Sequence, residues 1–538
     1  MTQAELLHGN LLRERLLHYR TVVAGDTVAA NLPELFAAMN RDEVRDFPAL
    51  RPHQRHPWHA FLVQLAAIAL HQAERDEPFE TAAEWDTALM ALTPDDLDGA
   101  AWCLVSPPGR PAFMQPPVPG GSLADWKSPM TAADELDMLI TSKNHDLKAA
   151  RMIRSSPEDW CHALISLQTQ EGFLGAGNYG VSRMNGGFAS RCAVGVKPPG
   201  RWGQRWRRDV AALIAARQEV VELYGLKPEG GTALTWLRPW DGLDSLAFPS
   251  LDPCYIEVCR RIRMTVSAGQ LQAQATSTKA PRIAAKELCG VTGDPWMPVD
   301  MVSAKALTIT SRGFDYKLAS ELLFGQKLGK PVAQILRPDD ASAGLVLLAQ
   351  GVTRGQGKTE GYHERRIPIS KKMRQAFAIR DTDALAKVAD ARIAVIAEVR
   401  KMIWVALTVL FANAARDEAG KDRDASDTVK NRASKFAQPF ESLCDSLFFE
   451  ELTEEIESDA PLAVREAWLV GIADRADRTV RAAFSAGPRS GQLRYRAQSA
   501  ALAKLHAAMR SPKSKFPDLV AALKSRQSDI TEENHEPA

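Results

Sequence analysis

Two glycine-rich segments contain the residue types that bind phosphates or nucleotides. Residues 175–180, GAGNYG, match the spacing G-x-G-x-x-G of a dinucleotide-binding loop. Such a loop also requires a helix after its third glycine and an acidic residue for the ribose. Gly186 and Gly187 would end that helix early, and the sequence has no Asp or Glu between Gly172 and Asp209. The match therefore does not predict a dinucleotide site.

The first segment is better described as a long acid-free loop over residues 172–187. Because glycine has no side chain, its backbone can approach a flat base pair or a phosphate closely. The loop also carries polar residues of the types that contact base edges and phosphates, namely Asn178, Tyr179, Arg183 and Asn185. We predict a ligand-facing surface here, and the alternative is a flexible connector.

The second segment, GVTRGQGKTE at residues 351–360, is a near miss for a P-loop. That motif requires a glycine at position 352, which is Val352, and a helix after the lysine, which Gly361 and Pro368 disfavour. Two interpretations remain. One is a nucleotide-hydrolysing enzyme that uses residues 351–359. The other is an exposed hairpin tip whose side chains contact bases and phosphates, with Arg354, Gln356 and Lys358 as the contacts.

Other residues of chemical interest do not combine into a catalytic or metal site. His53, His56 and His59 recur every third residue, but Pro57 interrupts a regular helix there, so packing is favoured over metal binding. Residues 201–209 interleave two tryptophans with four arginines, which fits either a phosphate-contacting stripe or an amphipathic helix with solvated arginines. Since no nucleophile, base and orienting residue stand together, the sequence favours binding over catalysis and predicts neither a metal nor a cofactor.

The elements that must position these loops differ between two parts of the chain. Residues 1–371 mix Pro-rich loops with short helices and strands, including a buried helix at 61–73 and strands at 261–266, 306–310 and 344–349. Residues 372–527 show long 3.6-residue periodicity with short polar breaks. The pattern predicts helices at 383–413, 428–452, 461–486 and 493–510, with a weaker one near 516–525.

These patterns predict an α+β protein, with a mixed α/β N-terminal domain followed by an antiparallel four-helix bundle. A polar tail over residues 528–538 is expected to be disordered. No apolar stretch approaches the roughly 18 residues that a membrane span needs, and seven cysteines are too few for a disulfide scaffold. We therefore expect a cytoplasmic protein without a membrane partner.

The formal net charge of +1 hides a strong segregation along the 538 residues. Residues 1–139 hold ten Lys/Arg against twenty Asp/Glu, and residues 381–538 hold twenty-three against twenty-five. The central residues 140–380 hold thirty-four against twenty-one, a net charge of +13, and include both glycine-rich segments. A basic region of this kind indicates a polyanionic partner such as nucleic acid, although a patchwork of solvated faces is the alternative.

Three segments together resemble a known family. Residues 171–191, EGFLGAGNYGVSRMNGGFASR, resemble the glycine-loop region of the large subunit of type I-E CRISPR Cascade, the CasA family. PAFMQ at 111–115 is similar to a PFMQ element of that family, and residues 351–366 are similar to the segment that bears its glutamine wedge. The family's architecture is also a mixed N-terminal domain followed by a four-helix bundle.

The resemblance implies a non-catalytic subunit of an RNA-guided antiviral complex. In the family, the large subunit recognises the protospacer-adjacent motif of duplex DNA through the minor groove, and a wedge starts strand separation for R-loop formation. The implied partners are duplex target DNA, the guide RNA-bearing Cascade subunits and an effector helicase–nuclease. The implied site comprises the glycine loop (Gly175, Gly177, Asn178, Tyr179, Arg183), the wedge (Arg354, Gly355, Gln356), the lysine finger Lys279, and phosphate contacts at Lys143, Lys148, Arg151, Arg154 and Lys358.

The chain also departs from the family pattern. It opens with helical sequence where family members begin with a strand-forming segment, so its first 50 residues are expected to be built differently. The cysteine pairs that some members carry near the lysine finger are absent, which predicts no structural zinc. Two functions from other classes remain as alternatives: the nucleotide-hydrolysing enzyme described above, and a helical scaffold that binds an acidic protein.

Overall fold

The computed structural model describes residues 7–137, 154–187, 191–340, 343–355, 358–413, 425–513 and 515–533. The chain divides into two compact units. The first comprises Met1–Phe314 with Gln326–Ile369, and the second comprises Asp315–Gly325 with Ser370–Ala538. The first unit mixes helices with short strands and the second is helical, which confirms the predicted α+β class.

Three helices of the first unit begin at residues whose side chains cap their free amide groups. Asn31, Thr81 and Ser156 each accept a hydrogen bond from the third helical residue, whose acidic side chain bonds back to the cap. The longest run of buried residues lies in the second helix, so the buried helix predicted at 61–73 is confirmed. The helices are α1 (Leu32–Asn40), α2 (Arg55–Gln72), α3 (Ala82–Ala91), α4 (Pro157–Gln170) and α5 (Trp202–Tyr224).

The strands are short and form several two- and three-stranded sheets. They are β1 (His8–Asn10), β2 (Leu17–Thr21), β3 (Thr27–Ala30), β4 (Val44–Asp46), β5 (Cys103–Val105), β6 (Ser128–Met130), β7 (Ala193–Lys197), β8 (Thr232–Leu234), β9 (Leu246–Ala247), β10 (Leu251–Ile256), β11 (Arg261–Ser267), β12 (Gln270–Thr276), β13 (Ile283–Ala284), β14 (Val299–Asp300), β15 (Lys305–Ala306), β16 (Leu328–Gly329), β17 (Val346–Gly355) and β18 (Lys358–Pro368).

Two expectations about strands and helices are wrong. The helical opening is replaced by strands β1 to β3, because the apolar residues Leu11, Leu12 and Leu17 are buried in an extended and turning chain. The predicted strand at 306–310 contributes only Ala306 to a ladder. The β-branched residues that follow it do not belong to a strand, since propensity alone supplies no ladder partner.

The sheet of β18, β17 and β7 contains the second glycine-rich segment. β17 and β18 form an antiparallel hairpin that runs from Val346 opposite Pro368 to Gly355 opposite Lys358, and β7 pairs with the other edge of β17. A P-loop requires a helix directly after its lysine. Because a strand follows Gly357 instead, the interpretation of residues 351–359 as a nucleotide-hydrolysing P-loop is wrong.

The core of the first unit is rich in tryptophan and encloses nearly all of α2, which is buried from His56 to Leu70. Pro57 is accommodated in the first turn of that helix, where its missing amide costs no hydrogen bond, rather than interrupting it. His53 lies 2.9 Å from Asp137, His59 lies 2.8 Å from Asp209, and His56 packs edge-on against Trp296. The three histidines thus have separate structural partners, as the packing interpretation predicts.

The arginines at the start of α5 face inward rather than forming an exposed stripe. The Arg208 guanidinium bonds the Asp340 carboxylate at 2.9 Å, and Arg205 and Arg208 are both buried. Arg207 donates to the carbonyl oxygens of Met39 and Asn40 at the end of α1. The interpretation of residues 201–209 as a solvated or phosphate-contacting arginine face is therefore wrong for Arg207 and Arg208.

The second unit consists of α6 (Tyr316–Phe324), α7 (Lys371–Ala378), α8 (Asp383–Phe411), α9 (Asp427–Glu457), α10 (Pro461–Ala482), α11 (Gly491–Met509) and α12 (Pro517–Glu533). The four long helices predicted from periodicity are present as α8 to α11. α8 packs against α9, α10 and α11, and its buried Arg392 bonds Glu455 of α9 at 2.6 Å. Helix α12 continues to Glu533, past residue 528. Among the described residues, the helices lack the length and hydropathy needed to cross a membrane.

Candidate nucleic-acid interface

The glycine loop, residues 172–187, is a hydrogen-bonded structure rather than a loose connector. Its tip is a tight turn in which the Asn178 amide donates to the Gly175 carbonyl and the Leu174 amide donates to Asn178, both at 3.0 Å. Its base is closed where the Phe173 amide donates to the Gly187 carbonyl at 2.9 Å. Backbone hydrogen bonds thus brace the loop at its tip and at its base, and Ala176 and Asn178 are exposed at the tip.

Gly177 is required by both backbone geometry and packing. Its φ is +84°, a left-handed conformation that residues with a Cβ adopt only with strain. A Cβ at this position would lie 2.7 Å from the Cβ of Ser277, which is too close for two carbon atoms. The absence of a side chain therefore lets the loop pack directly on the segment that contains Ser277.

That neighbouring segment carries Lys279, the residue that the family resemblance implies as the lysine finger. The Thr278 amide donates to the Gly177 carbonyl at 3.0 Å, and the Tyr179 hydroxyl donates to the Lys279 carbonyl at 3.1 Å. The Lys279 amide is bound in turn by the Gly242 carbonyl at 2.7 Å. Lys279 is exposed, and its backbone is held next to the glycine loop by these bonds.

The hairpin β17–β18 is joined to the other end of the glycine loop by a buried ion pair. The Arg354 guanidinium, at the end of β17, bonds the carboxylate of Glu171, which directly precedes the loop. The side chains are 6% and 1% exposed, respectively. Burial raises the pKa of Glu171, and the nearby Arg354 and Arg260 oppose that rise. Three segments far apart in sequence are thus brought together at one surface.

Arg354 itself is consequently an anchor and not an exposed wedge residue, which corrects one predicted role. Gly355 is the last residue of β17 and Lys358 the first of β18, so they flank the hairpin tip. Gln356, the predicted wedge, lies outside the described residues. Lys143, Lys148 and Arg151 also lie outside them. Arg154 is exposed, two residues before the cap of α4.

Arg183 is a second corrected residue. Its side chain is 2% exposed, its guanidinium lies 3.9 Å above the ring of Tyr255, and Nη2 donates to the Tyr255 carbonyl at 2.8 Å. Asp294 stands 3.9 Å away and balances the charge. Arg183 therefore fastens the far side of the glycine loop to β10, and it does not face a ligand.

The PAFMQ element, residues 111–115, lies behind the glycine loop and supports it. Gln115 is fully buried, donates to the Leu104 carbonyl at 2.8 Å and accepts from the Met264 amide at 2.6 Å. The Met114 carbonyl accepts from Gln168 near the end of α4, three residues before Glu171. This element joins β5, β11 and α4, so it fixes the position from which the glycine loop starts.

A buried carboxyl group holds the middle of the loop. Glu257 accepts from the Ser182 amide at 2.7 Å and lies 2.7 Å from the Ser182 hydroxyl, which is 2.9 Å from the Tyr255 hydroxyl. Burial raises the pKa of Glu257 to about 7, because the donors from Ser182 and the neighbouring Arg183 only partly offset the loss of hydration. Glu257 therefore carries its proton in the folded protein below that pH.

This shift predicts a pH-dependent stability that Glu257→Gln removes. Between the ordinary pKa of 4.5 and about 7, the unfolded state loses a proton that the folded state keeps, so stability falls as pH rises. The stabilisation that protonated Glu257 gives the folded state is therefore complete below pH 4.5 and is lost above about pH 7. We expect the free energy of unfolding of Glu257→Gln, relative to that of the wild type, to increase by on the order of 3 kcal/mol as the pH rises through this window, as measured by denaturant unfolding. A constant difference between the two proteins would contradict the shifted pKa.

Within the residues that the structure describes, no cluster of three or more His, Cys, Asp or Glu side chains is arranged to hold a metal ion. The seven cysteines are free, and six of them are buried. The polar chemistry of the surface is instead an exposed lysine, an exposed asparagine and the backbone of a glycine-rich turn. Such groups can donate hydrogen bonds to a bound ligand and accept them from it.

Comparison with known proteins locates this arrangement in a known fold. No protein-family model and no curated protein matches the chain. The crystal structure of the CRISPR-associated protein Cse1 from Acidimicrobium ferrooxidans covers 96% of the chain and is itself covered over 99%, with a TM-score of 0.61 and 16% identity. The chain has the Cse1/CasA fold. Thermus thermophilus CasA (Cse1) matches at a TM-score of 0.61 and 14% identity over 93% of the chain and 99% of its own.

Thermobifida fusca Cse1 matches this fold equally well, with a TM-score of 0.60 and 13% identity over 96% of the chain and 99% of its own. The resemblance to the CasA family is therefore confirmed at the level of the Cse1/CasA fold, over nearly the whole length of each protein. At such low identity the comparison describes the fold alone. The roles of the loops depend on the contacts of this chain.

Within the Cse1/CasA fold of this chain, the residues that the sequence did not reveal are the anchors behind the surface. They are Glu171, Glu257, Arg260, Tyr255 and Asp294, and their partners stand up to 183 residues away in sequence. One local signal was present: Glu171 is the last acidic residue before the acid-free loop. A single sequence does not show that its partner is Arg354.

Proposed function

We propose that the chain is the large subunit of a type I-E Cascade complex and recognises the protospacer-adjacent motif of duplex DNA. The observation that supports this proposal most strongly is the joining of the glycine loop, the Lys279 segment and the base of the β17–β18 hairpin by hydrogen bonds and a buried ion pair. A binding surface built from three segments requires that their relative positions be fixed. The hydrogen bonds and the buried ion pair fix them in this chain.

The glycine loop and Lys279 read the minor groove. A·T and T·A pairs present nearly the same acceptors in that groove, so a few donors and a close backbone suffice for a short, loosely defined motif. The exposed Asn178 amide and the Lys279 ammonium are such donors, and the turn at Gly175–Gly177 brings no bulky side chain between backbone and base edges. Tyr179 acts by positioning Lys279 rather than by touching a base.

The hairpin tip separates the strands next to the motif. Gln356, between Gly355 and Lys358, is the wedge that enters the base stack, and Arg354 supplies the fixed base from which it acts. Unstacking one base step costs a few kcal/mol, and the loss is offset by contacts that the bent and opened DNA makes with the protein. Guide pairing then replaces one duplex by another of similar stability, so assistance at the first step controls the rate.

The remaining part of the proposal concerns the complex. The chain acts without catalysing a reaction, together with cytoplasmic subunits that carry the guide RNA, and it helps recruit an effector helicase–nuclease in antiviral defence. The basic central region meets DNA, while the acidic N-terminal region and the near-neutral helical unit are available to protein neighbours. The name of the Acidimicrobium ferrooxidans protein, a CRISPR-associated protein, supports this assignment.

The wedge role predicts that Gln356→Ala slows the opening of duplex target at least tenfold in the assembled complex. Binding to single-stranded target should change little, because that substrate needs no strand separation. The rate is measured from the fluorescence of a base analogue beside the motif. Gln270→Ala, at the exposed first residue of β12, is the matched control and should leave both the opening of duplex and the binding of single-stranded target unchanged. An equal loss on duplex and single-stranded target would contradict the wedge role.

A further inference from the structure

A second basic site lies away from the glycine loop, at the base of the same hairpin. A pocket of about 340 Å³ opens there between β4, β7, the first turn of α5 and the β17–β18 sheet. Seven arginine and lysine side chains and only two carboxylates line it, a formal charge of +5. Like charges gathered in one pocket repel each other, and a bound anion would offset that repulsion.

The two carboxylates of the pocket are already used by neighbouring groups. Asp46 accepts from Arg20 Nε at 2.6 Å. Glu364 accepts from Arg366 Nε at 2.8 Å, from the Tyr362 hydroxyl at 2.6 Å and from Gln350 at 3.0 Å. They therefore have little capacity left to neutralise the other cations of the pocket.

Three of the cations have no hydrogen bond to a carboxylate in the part of the chain that the structure describes. Arg55 and Lys197 form no hydrogen bond or ion pair through their side chains with any part of the chain that the structure describes. Arg205 is 91% buried, since its relative exposure is 9%, and its Nε has no hydrogen-bond partner among the described residues. Its nearest carboxylate, Asp209, is 3.9 Å away and is bonded by His59 and Arg208.

Burial and mutual repulsion lower the pKa values of two of these cations. The pKa of Lys197 is lowered, mainly by burial and further by the charges of Arg205 and Arg366, and the charge of Glu364 opposes this only in part. The pKa of Arg205 is also lowered by burial, which the partial contact with Asp209 does not offset. An anion between these groups would remove the repulsion and replace lost hydration.

The remaining wall of the pocket is apolar and partly aromatic. Phe47 and Trp202 meet edge to face with ring centroids 4.8 Å apart, and Leu50 and Leu348 complete the wall. A pocket of a few hundred Å³ with an apolar wall and a few convergent polar groups has the size and composition of a small-ligand site. The combination of cations and rings suits a phosphate group carried by a nucleoside.

We propose that this pocket binds a nucleotide through its phosphate, with Lys197, Arg205 and Arg55 on the phosphate and the wall of Phe47 and Trp202 against the nucleoside. The nucleotide is either a free mononucleotide or the phosphorylated terminal nucleotide of a strand. The site goes beyond the proposed function, because neither motif reading nor strand separation uses it.

The test is a binding titration of the full chain with thymidine 5′-monophosphate, with inorganic phosphate and with unphosphorylated thymidine. Saturable binding of the monophosphate, displaced by inorganic phosphate and not by thymidine, is expected. Lys197→Gln and Arg55→Gln should each weaken it at least tenfold. Lys286→Gln removes the same charge from an exposed lysine outside the pocket and should leave the affinity unchanged.

A further arm distinguishes the two sources of the phosphate. A 5′-phosphorylated oligothymidylate that binds more tightly than the monophosphate identifies a strand end, and the reverse order identifies a free nucleotide. Absence of saturable monophosphate binding, equal weakening by Lys286→Gln, or tighter binding of hexaglutamate would each overturn the proposal. Because the isolated chain is used without guide or duplex, these outcomes are independent of the Gln356→Ala result.

Discussion

Gly177→Asp is expected to lower motif-dependent affinity for duplex DNA by at least about 100-fold in the assembled complex. The left-handed φ of +84° opposes any side chain, and the new Cβ would lie 2.7 Å from that of Ser277. The loop and the Lys279 segment must therefore move apart, which breaks the bond between the Thr278 amide and the Gly177 carbonyl. The aspartate would also bring a negative charge toward the DNA phosphates.

Two neighbouring variants separate the steric cause from the electrostatic one. Gly177→Ala introduces the strain and the close contact without a charge. Ala176→Asp introduces the charge at an exposed position beside it, where the residue already has a side chain. We expect each to lose part of the affinity in a binding assay with motif-containing and motif-free duplexes. If Gly177→Asp retained full preference for the motif, the loop would not face the groove.

Arg354→Met is expected to lower the free energy of unfolding of the first unit by about 3 kcal/mol or more. It leaves the carboxylate of Glu171 buried, with only Arg260 nearby to compensate it. Because the hairpin then loses its bond to the glycine loop, duplex opening should slow as well. The stability is measured by denaturant unfolding, followed with a probe in the first unit.

A double variant tests whether the loss comes from the unpaired charge. Glu171→Met combined with Arg354→Met removes both charges and should recover most of the stability, since a buried pair contributes little relative to an apolar replacement. The matched control is Arg41→Met, which breaks an exposed pair with Glu43 and should cost no more than about 1 kcal/mol. Equal losses from Arg354→Met and Arg41→Met would mean that the buried pair does not anchor the hairpin.

The features that the sequence predicted correctly are local ones. The spacing of glycines located the loop at 172–187 and the hairpin at 351–360, because glycine and turn chemistry are local properties. Periodicity located α2 and the long helices of the second unit for the same reason. These features need no knowledge of what packs against them.

The burial of individual arginine side chains could not be predicted from the sequence. Arginine in a glycine-rich or amphipathic segment is ordinarily solvated, but the side chains of Arg183, Arg354 and Arg208 are each buried against a partner far away in sequence. The exposure of a charged side chain depends on whether a distant carboxylate or carbonyl neutralises it, and a single sequence does not contain that pairing. The sequence therefore predicted the loops and misassigned the residues that fasten them.

The ion pair of Arg354 with Glu171 also limits how the glycine loop can be exchanged. A designer who wishes to change the exposed surface of the glycine loop would exchange it for that of a related protein, cutting the chain near residue 172. Whether Glu171 stays then depends on the exact position of the cut. A donor loop that has no acidic residue at position 171 would leave the Arg354 guanidinium buried without its partner. Loop and hairpin are thus one transplantable module, to be moved with residues 171 and 354 together or left intact.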